Sequence, residues 1–337
     1  MTATRQTFQQ QITQNKRRSW LLVILLTLIL VVLGVLAGYS LFGSATGAVA
    51  GVVFAVVLSS VLSAGAFFSG DSLVLAASRA REVKQEDLPQ LPPEPRQKLT
   101  QLLNVVQEMC LAAGSPPPKV YLIDDSAPNA FATGRDPQHA SVAVTTGLLD
   151  KLDREELQGV IGHEISHVRN YDIRWSLMVG ILVGSIALLA DMFVRASFWS
   201  GAGRRSRGKD SGGAGAIIMV VAIVFAILAP IFATLVQMAV SRQREFLADA
   251  SSVELTRNPT GLERALVDIS SDPEPLEVAN RATQHLYIVN PIKKLDDRSS
   301  GLMSTHPPIR ERIDRLRALT GQPPLDATAE QGLAGLS

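Results

Sequence analysis

The chain has 337 residues, of which 47% are hydrophobic and 19% charged, with a mean hydropathy of +0.19. That is too apolar for an average soluble enzyme and too charged for a protein lying wholly in a membrane, and the length allows two domains. A formal net charge of +1 and the lack of any stripe of mixed basic and aromatic residues leave nucleic acid outside the expected partners.

In chain order, Lys16, Arg17 and Arg18 precede residues 21–41, which carry no charge, and residues 48–68 are also uncharged. Each block is about one membrane thickness long as a helix. The first is too long for a signal-peptide core, lacks a convincing cleavage site and is followed almost at once by the second, so the two read as an uncleaved anchor hairpin. The three cations, with Arg79, Arg81 and Lys84 after the second block, place both ends of this hairpin in the cytoplasm. The single cysteine, Cys110, leaves no intrachain disulfide to form and fits a reducing compartment.

Residues 88–95, Leu-Pro-Gln-Leu-Pro-Pro-Glu-Pro, form a stiff linker. Helical spacing of Leu99, Leu102, Leu103, Val106 and Met109 then predicts a helix over 96–113 with a core-facing stripe. Short apolar runs at 119–123, 129–134 and 140–145, broken by Asp124-Asp125, Pro128 and the turn at 134–137, predict a small antiparallel sheet. Such a sheet can take an extended peptide at its edge, or it can be an ordinary structural meander.

Asp153 followed by Glu156 predicts a capping box, opening a helix that runs to about Arg169. Leu157, Ile161, Ile165 and Val168 form its core stripe, and His163 and His167 lie well away from that arc. The sequence His163-Glu-Ile-Ser-His167 puts two imidazoles one turn apart on one helix face, where both can grip a metal ion, and the glutamate between them can take a proton from a water at the metal. A core reading of the histidines loses weight because the core side is already occupied.

Two further apolar blocks follow: 173–193, with Arg174 at its start and Asp191 near its end, and the uncharged 216–240, which includes Pro230. Between them lie Arg204, Arg205, Arg207 and Lys209, a basic loop that a spanning hairpin would place outside. Either the spans override this loop or the second hairpin enters the membrane without crossing. A buried helical hairpin in a soluble domain is the alternative for both blocks.

A catalytic zinc takes three protein ligands and keeps a position for water. No histidine stands six residues after His167, where the extended metzincin motif needs one; Ile173 is there instead. Just past the fourth block, Glu245 and Asp249 are again one helical turn apart, so one can bind the metal while the other hydrogen-bonds a ligand imidazole; Glu245 is the better candidate for the ligand. With the histidines just before the third block and Glu245 just after the fourth, two crossings would return both ligand helices to the same membrane face.

These residues give the chain its likeness to a family. His163-Glu-Ile-Ser-His167 with Asn170 and Asp172, residues 241–249 (Ser-Arg-Gln-Arg-Glu-Phe-Leu-Ala-Asp), residues 129–134 (Asn-Ala-Phe-Ala-Thr-Gly) and residues 304–308 (Ser-Thr-His-Pro-Pro) resemble the HtpX family of membrane-embedded zinc metalloproteases, a branch of the gluzincin-like peptidases. The resemblance implies one Zn2+ per chain held by His163, His167 and Glu245, with Glu164 as general base. It implies a peptide bound along Asn129, Ala130, Phe131, Ala132 and Thr133. It also places His306 near the site, as a candidate to steady the oxyanion, with Pro307 and Pro308 stiffening the backbone after it. The alternative for His306 is a surface residue at the start of a helix over 309–319.

The expected protein is therefore of the α+β class: a polytopic helical membrane protein of about four spans with a zincin-like metalloprotease domain containing the small antiparallel sheet. Residues 1–69 would form the tail and first hairpin, 70–172 and 241–320 the two parts of the catalytic domain, 173–240 the second hairpin and 321–337 a tail. The expected function is a zinc endopeptidase of the cell (inner) membrane, facing the cytoplasm and cleaving misfolded or membrane polypeptides in proteolytic quality control. A CaaX-type prenyl-protein endopeptidase shares the metal motifs but has more spans. An inactive zinc-binding scaffold would not need Glu164, and a transporter would carry paired charges inside its spans.

Overall fold

The computed structural model describes residues 8–203, 213–276, 287–288 and 307–325; His306, the basic run 204–209 and the chain after 325 lie outside the described residues. In chain order come helices α1 (Phe8–Phe42) and α2 (Ala45–Ala77), strand β1 (Arg81–Glu82), helix α3 (Pro93–Ala113) and strands β2 (Lys119–Ile123), β3 (Ala130–Gly134) and β4 (Ala140–Thr145). They are followed by helices α4 (Thr146–Lys151), α5 (Arg154–Arg169), α6 (Asp172–Gly203), α7 (Gly213–Thr256), α8 (Pro259–Ser270) and α9 (Ile309–Leu319). The chain divides into two compact units, one of 13–68 with 175–240, the other of 69–174 with the described residues from 241 onward.

The apolar blocks build the first unit. Four described helices are long and apolar enough to cross a membrane, over Trp20–Phe42, Ala45–Gly65, Asp172–Ser197 and Ile217–Thr256. Their packing inverts that of a water-soluble helix. On α7, Ala222, Ala226, Ala229 and Ala233 share one buried face, while Val220, Val224, Ile227, Leu228, Ile231 and Phe232 are exposed. Small residues inside and large apolar residues outside suit helices solvated by lipid, where close backbone approach does the work that water expulsion does elsewhere. The same device joins α1 to α2: a Cβ added at Gly34 would meet the Gly51 carbonyl oxygen at 2.8 Å.

The second unit is organised around α5. Its start carries the full capping box, with the Asp153 side chain accepting from Glu156 N–H (2.9 Å) and the Glu156 carboxylate accepting from Asp153 N–H (2.8 Å). The stripe of Leu157, Ile161, Ile165 and Val168 is fully buried and packs with Leu102 and Val106 of α3, Leu262 and Leu266 of α8, and Ile313 of α9. On α3 the buried face includes Val105, whereas Leu103 is only partly covered.

The sheet has the order β1-β2-β4-β3, and it is mixed rather than antiparallel throughout. β1–β2 and β3–β4 are antiparallel, but β2 and β4 run parallel, with Val120 opposite Val142 and Leu122 opposite Val144. After β2 the chain skips one position before laying down β3, and β4 returns into the gap in the direction of β2. Every residue of β3 and β4 is buried, as strands covered on both faces must be.

The face of α5 away from its stripe is also covered, because glycine lets neighbouring backbone close in. Ser252 of α7 donates its hydroxyl to the Gly159 carbonyl (2.7 Å), and a Cβ at Gly159 would lie 2.7 Å from the backbone nitrogen of Leu262. Substituting Gly159→Val should therefore push α8 off α5 and destabilise the protein by about 1–3 kcal/mol. The check is the thermal unfolding of detergent-solubilised protein; an unchanged midpoint would contradict the close approach.

Candidate metal centre

Helical spacing stacks His163 and His167 on one side of α5, with ring centroids 4.7 Å apart. Their Nε2 atoms face each other at 3.1 Å. Glu245, reaching in from α7, stands 3.5 Å from each: Oε2 against His163 Nε2 and Oε1 against His167 Nε2. One ligand atom from each of the three side chains lies within 4.8 Å of the others. His163 is 1% exposed and Glu245 6%, while His167 is partly exposed, so the cluster is reached by solvent from the His167 side alone among its three members.

What the ring nitrogens carry follows from their outer partners. Asp249 Oδ1 lies 2.9 Å from His163 Nδ1, and Asp172 Oδ2 lies 3.2 Å from His167 Nδ1. A carboxylate only accepts, so each Nδ1 is the protonated donor and each neutral ring turns a lone pair inward at Nε2. With both rings neutral, two lone pairs and a carboxylate converge on one small space. A cation between them resolves the repulsion. In the metal-free protein the same field raises both imidazole pKa values. Burial works against charge on His167, but Asp172 and Glu245 outweigh it and hold its pKa well above the ordinary value; on His163, Asp249 and Glu245 outweigh burial and raise the pKa. Two imidazoles and one carboxylate, without sulfur, fit a catalytic zinc with an open fourth position. The lone cysteine is elsewhere: Cys110 sits in the core under α3, where burial pushes its thiol up to about 11.

Glu164 follows His163 on α5 and is 1% exposed. Its Oε1 has no hydrogen-bond partner among the described residues, while the Ala132 N–H meets its carboxylate. Burial pushes the carboxyl above the usual range, against the pull of the two imidazoles.

That contact places β3. Of the residues named for a peptide, Ala130, Phe131, Ala132 and Thr133 form β3 and Asn129 immediately precedes it. β4 pairs along one side of β3. On the other side Phe131 forms an antiparallel bridge with Tyr287, the Ala130 carbonyl accepts from Ile288 N–H (2.9 Å), and the two rings meet edge to face. The edge beside Glu164 thus holds a short extended piece of the chain itself.

The structure brings together His163, Glu164, His167, Glu245 and Asp249; His306 lies outside the described residues. Two contributors had no assigned role in the sequence reading. Asp172 was only part of the motif context. Its signal is a carboxylate just beyond the histidine helix, swung back by Tyr171 at a left-handed φ of 61°. Arg312 of α9 is fully buried against Asp249, and in the sequence nothing separates it from its exposed neighbours Arg310 and Arg315.

Residues 96–320 match the model of peptidase family M48. A protease HtpX homolog from Dictyoglomus thermophilum is 43% identical over 313 residues, covering 93% of this chain and 95% of the relative. HtpX homologs from Thermoanaerobacter pseudethanolicus and Streptococcus equi are 49% and 46% identical over 65% and 74% of the chain, and over 72% and 80% of their own lengths.

Replacing Glu245 by alanine should remove one of the three donor side chains of the cluster. After metal loading and gel filtration, elemental analysis should find most of the metal gone; full occupancy would point to a different third ligand.

Proposed function

This chain belongs to peptidase family M48 and, within it, to the HtpX proteases, and from that premise we propose that it is a zinc endopeptidase with Glu164 as its general base. A membrane-bound metallopeptidase is a hydrolase of peptide bonds, so its substrates are polypeptides. The finer reading is supported by one observation above the others: three inward-facing acceptor atoms of His163, His167 and Glu245, with the buried carboxylate of Glu164 beside them.

His163, His167 and Glu245 would hold one zinc ion. Bound there, zinc supplies a Lewis acid that polarises a peptide carbonyl and makes a water acidic near neutral pH. Glu164 accepts the proton of the attacking water and delivers it to the leaving amine. Burial raises its pKa, which makes the carboxylate a stronger base and suits the first half of that task. Asp249 and Asp172 keep the two rings in the tautomer that points Nε2 inward.

Peptide would lie as a strand along the outer edge of β3, alongside Glu164, in the place of Tyr287 and Ile288. The bridge from Tyr287 supports this: an extended segment fits there, with Ala130 accepting from its backbone. Residues 70–172 and 241–320 would form the catalytic domain, and 1–69 and 173–240 would hold it at the bilayer. Lys16, Arg17, Arg18, Arg79, Arg81 and Lys84 favour a cytoplasmic side for that domain. A protease at this surface suits misfolded and membrane proteins of the cell (inner) membrane, as in proteolytic quality control.

The direct test is the Glu164→Gln variant, zinc-loaded in detergent and incubated with an unfolded membrane protein. Cleavage followed on gels should fall by about 10²–10⁴-fold while zinc stays bound. Turnover within tenfold of the unmodified enzyme would remove Glu164 from the role of base.

A further inference from the structure

Arg312 is the largest fully buried side chain among the described residues, and the peptidase reaction as derived above does not use it. Its guanidinium grips Asp249 with both arms, Nε to Oδ2 at 2.9 Å and Nη2 to Oδ1 at 2.7 Å, and Nη1 donates to the Ile288 carbonyl at 2.8 Å. Asp249 Oδ1, held in that fork, is the atom that accepts from His163 Nδ1 at 2.9 Å. The guanidinium stands close to the centre itself, 3.5 Å from His163 Nδ1 and 3.6 Å from Glu245 Oε2.

We propose that Arg312 is a positioning residue of the metal centre: from α9 it locks the Asp249 carboxylate in the one orientation that holds His163 with Nε2 turned toward Glu245. The proposal rests on His163, His167 and Glu245 being the metal ligands.

A carboxylate on its own can rotate about its last bond and trade one oxygen for the other. Gripped at both oxygens by a planar fork, Asp249 cannot turn without breaking two charge-assisted hydrogen bonds. A lysine could neutralise the charge but not fix the plane.

A purely structural tie between α9 and α7 is a poor explanation, because a buried ion pair is an expensive way to hold two helices together and apolar residues do it at lower cost. α9 already has such residues: Ile313 and Leu316 are buried in the core of this unit. The other arginines of α9 have ordinary partners, Arg315 with Glu311 and Arg317 with Glu263, and none of these reaches the centre. Behind the other imidazole, Asp172 accepts from His167 Nδ1 and has Arg244 beside it, with Nε 3.7 Å from its carboxylate and Nη1 donating to its backbone carbonyl at 3.4 Å.

The experiment uses the full chain in detergent, stripped of metal. Zinc affinity is measured by competition with a chromophoric chelator, and the cobalt-loaded protein is read by its visible absorption. Arg312→Lys should weaken zinc binding by about 10–100-fold and shift the cobalt bands, as loss of an outer partner of a ligand histidine does. Asp249→Asn should do the same, and the double variant should be no weaker than the weaker single one, because both act through one group. Ile313→Ala, which loosens α9 without touching Asp249, should lower the melting temperature and leave zinc affinity within threefold.

Unchanged affinity and spectrum in Arg312→Lys would overturn the proposal, and so would losses that multiply in the double variant. Failure to obtain Arg312→Lys folded while Ile313→Ala folds would also overturn it, since Arg312 would then be a structural tie. The ligand reading is tested separately. Full zinc affinity in His163→Ala would bring down that reading, whereas loss of zinc in His163→Ala with unchanged Arg312→Lys would bring down only the role of Arg312.

Discussion

Two imidazole Nε2 atoms face each other at 3.1 Å inside the protein, with a carboxylate oxygen 3.5 Å from each nitrogen. That arrangement is repulsive on its own, and much of the surrounding unit exists to hold it. The capping box starts α5 at a defined residue, which fixes which side chains fall on the ligand side. Glycines at 159 and 162 let the end of α7 and the start of α8 lie against that side. Asp249 and Asp172 claim the outer nitrogens, so any added positive charge, proton or metal, falls on the inner nitrogens. A preorganised set of acceptors of this kind binds a divalent cation without having to rearrange.

The side chains of the cluster are far apart in sequence, because the apolar residues of α6 and α7 come between His167 and Glu245. Closing a long loop costs only slightly more entropy than closing a shorter one, so the interruption is tolerated. Those residues are specialised differently from the rest. Ala222, Ala226, Ala229 and Ala233 pack inward, and valine, leucine, isoleucine and phenylalanine face out. Around the metal centre the preference is reversed: large apolar side chains such as Leu157, Ile161 and Ile165 are buried. One chain thus follows two sets of packing rules, one for lipid and one for water.

Most of what was legible in the sequence was local. Apolar blocks of membrane length, three of them uncharged, announced the four apolar helices, Asp153 with Glu156 announced the start of α5, and the i, i+4 spacings announced both histidines and the Glu245–Asp249 pair. What depended on distant pairing was harder to read. Alternation within 119–123 and 140–145 gives no direction of pairing, so the parallel β2–β4 contact was hidden. The occupant of the β3 edge comes from Tyr287 and Ile288, more than a hundred residues along the chain. Arg312 was masked for a different reason. It lies in Ile-Arg-Glu-Arg-Ile-Asp-Arg-Leu-Arg, where period and composition predict a solvated face, and only the fold shows which arginine is buried. Asp172 could have been found, since a carboxylate just past a histidine pair is a standing candidate for an imidazole partner.

The proposed centre is built of two imidazoles and one carboxylate, with a position left open for water. X-ray absorption at the zinc edge of the loaded protein in detergent reads that ligand set directly. The expected spectrum has only nitrogen and oxygen scatterers at about 2.0–2.2 Å, with the outer-shell signature of two imidazoles and a total coordination of about four. A sulfur scatterer near 2.3 Å, or a shell of oxygen alone without imidazole, would contradict it.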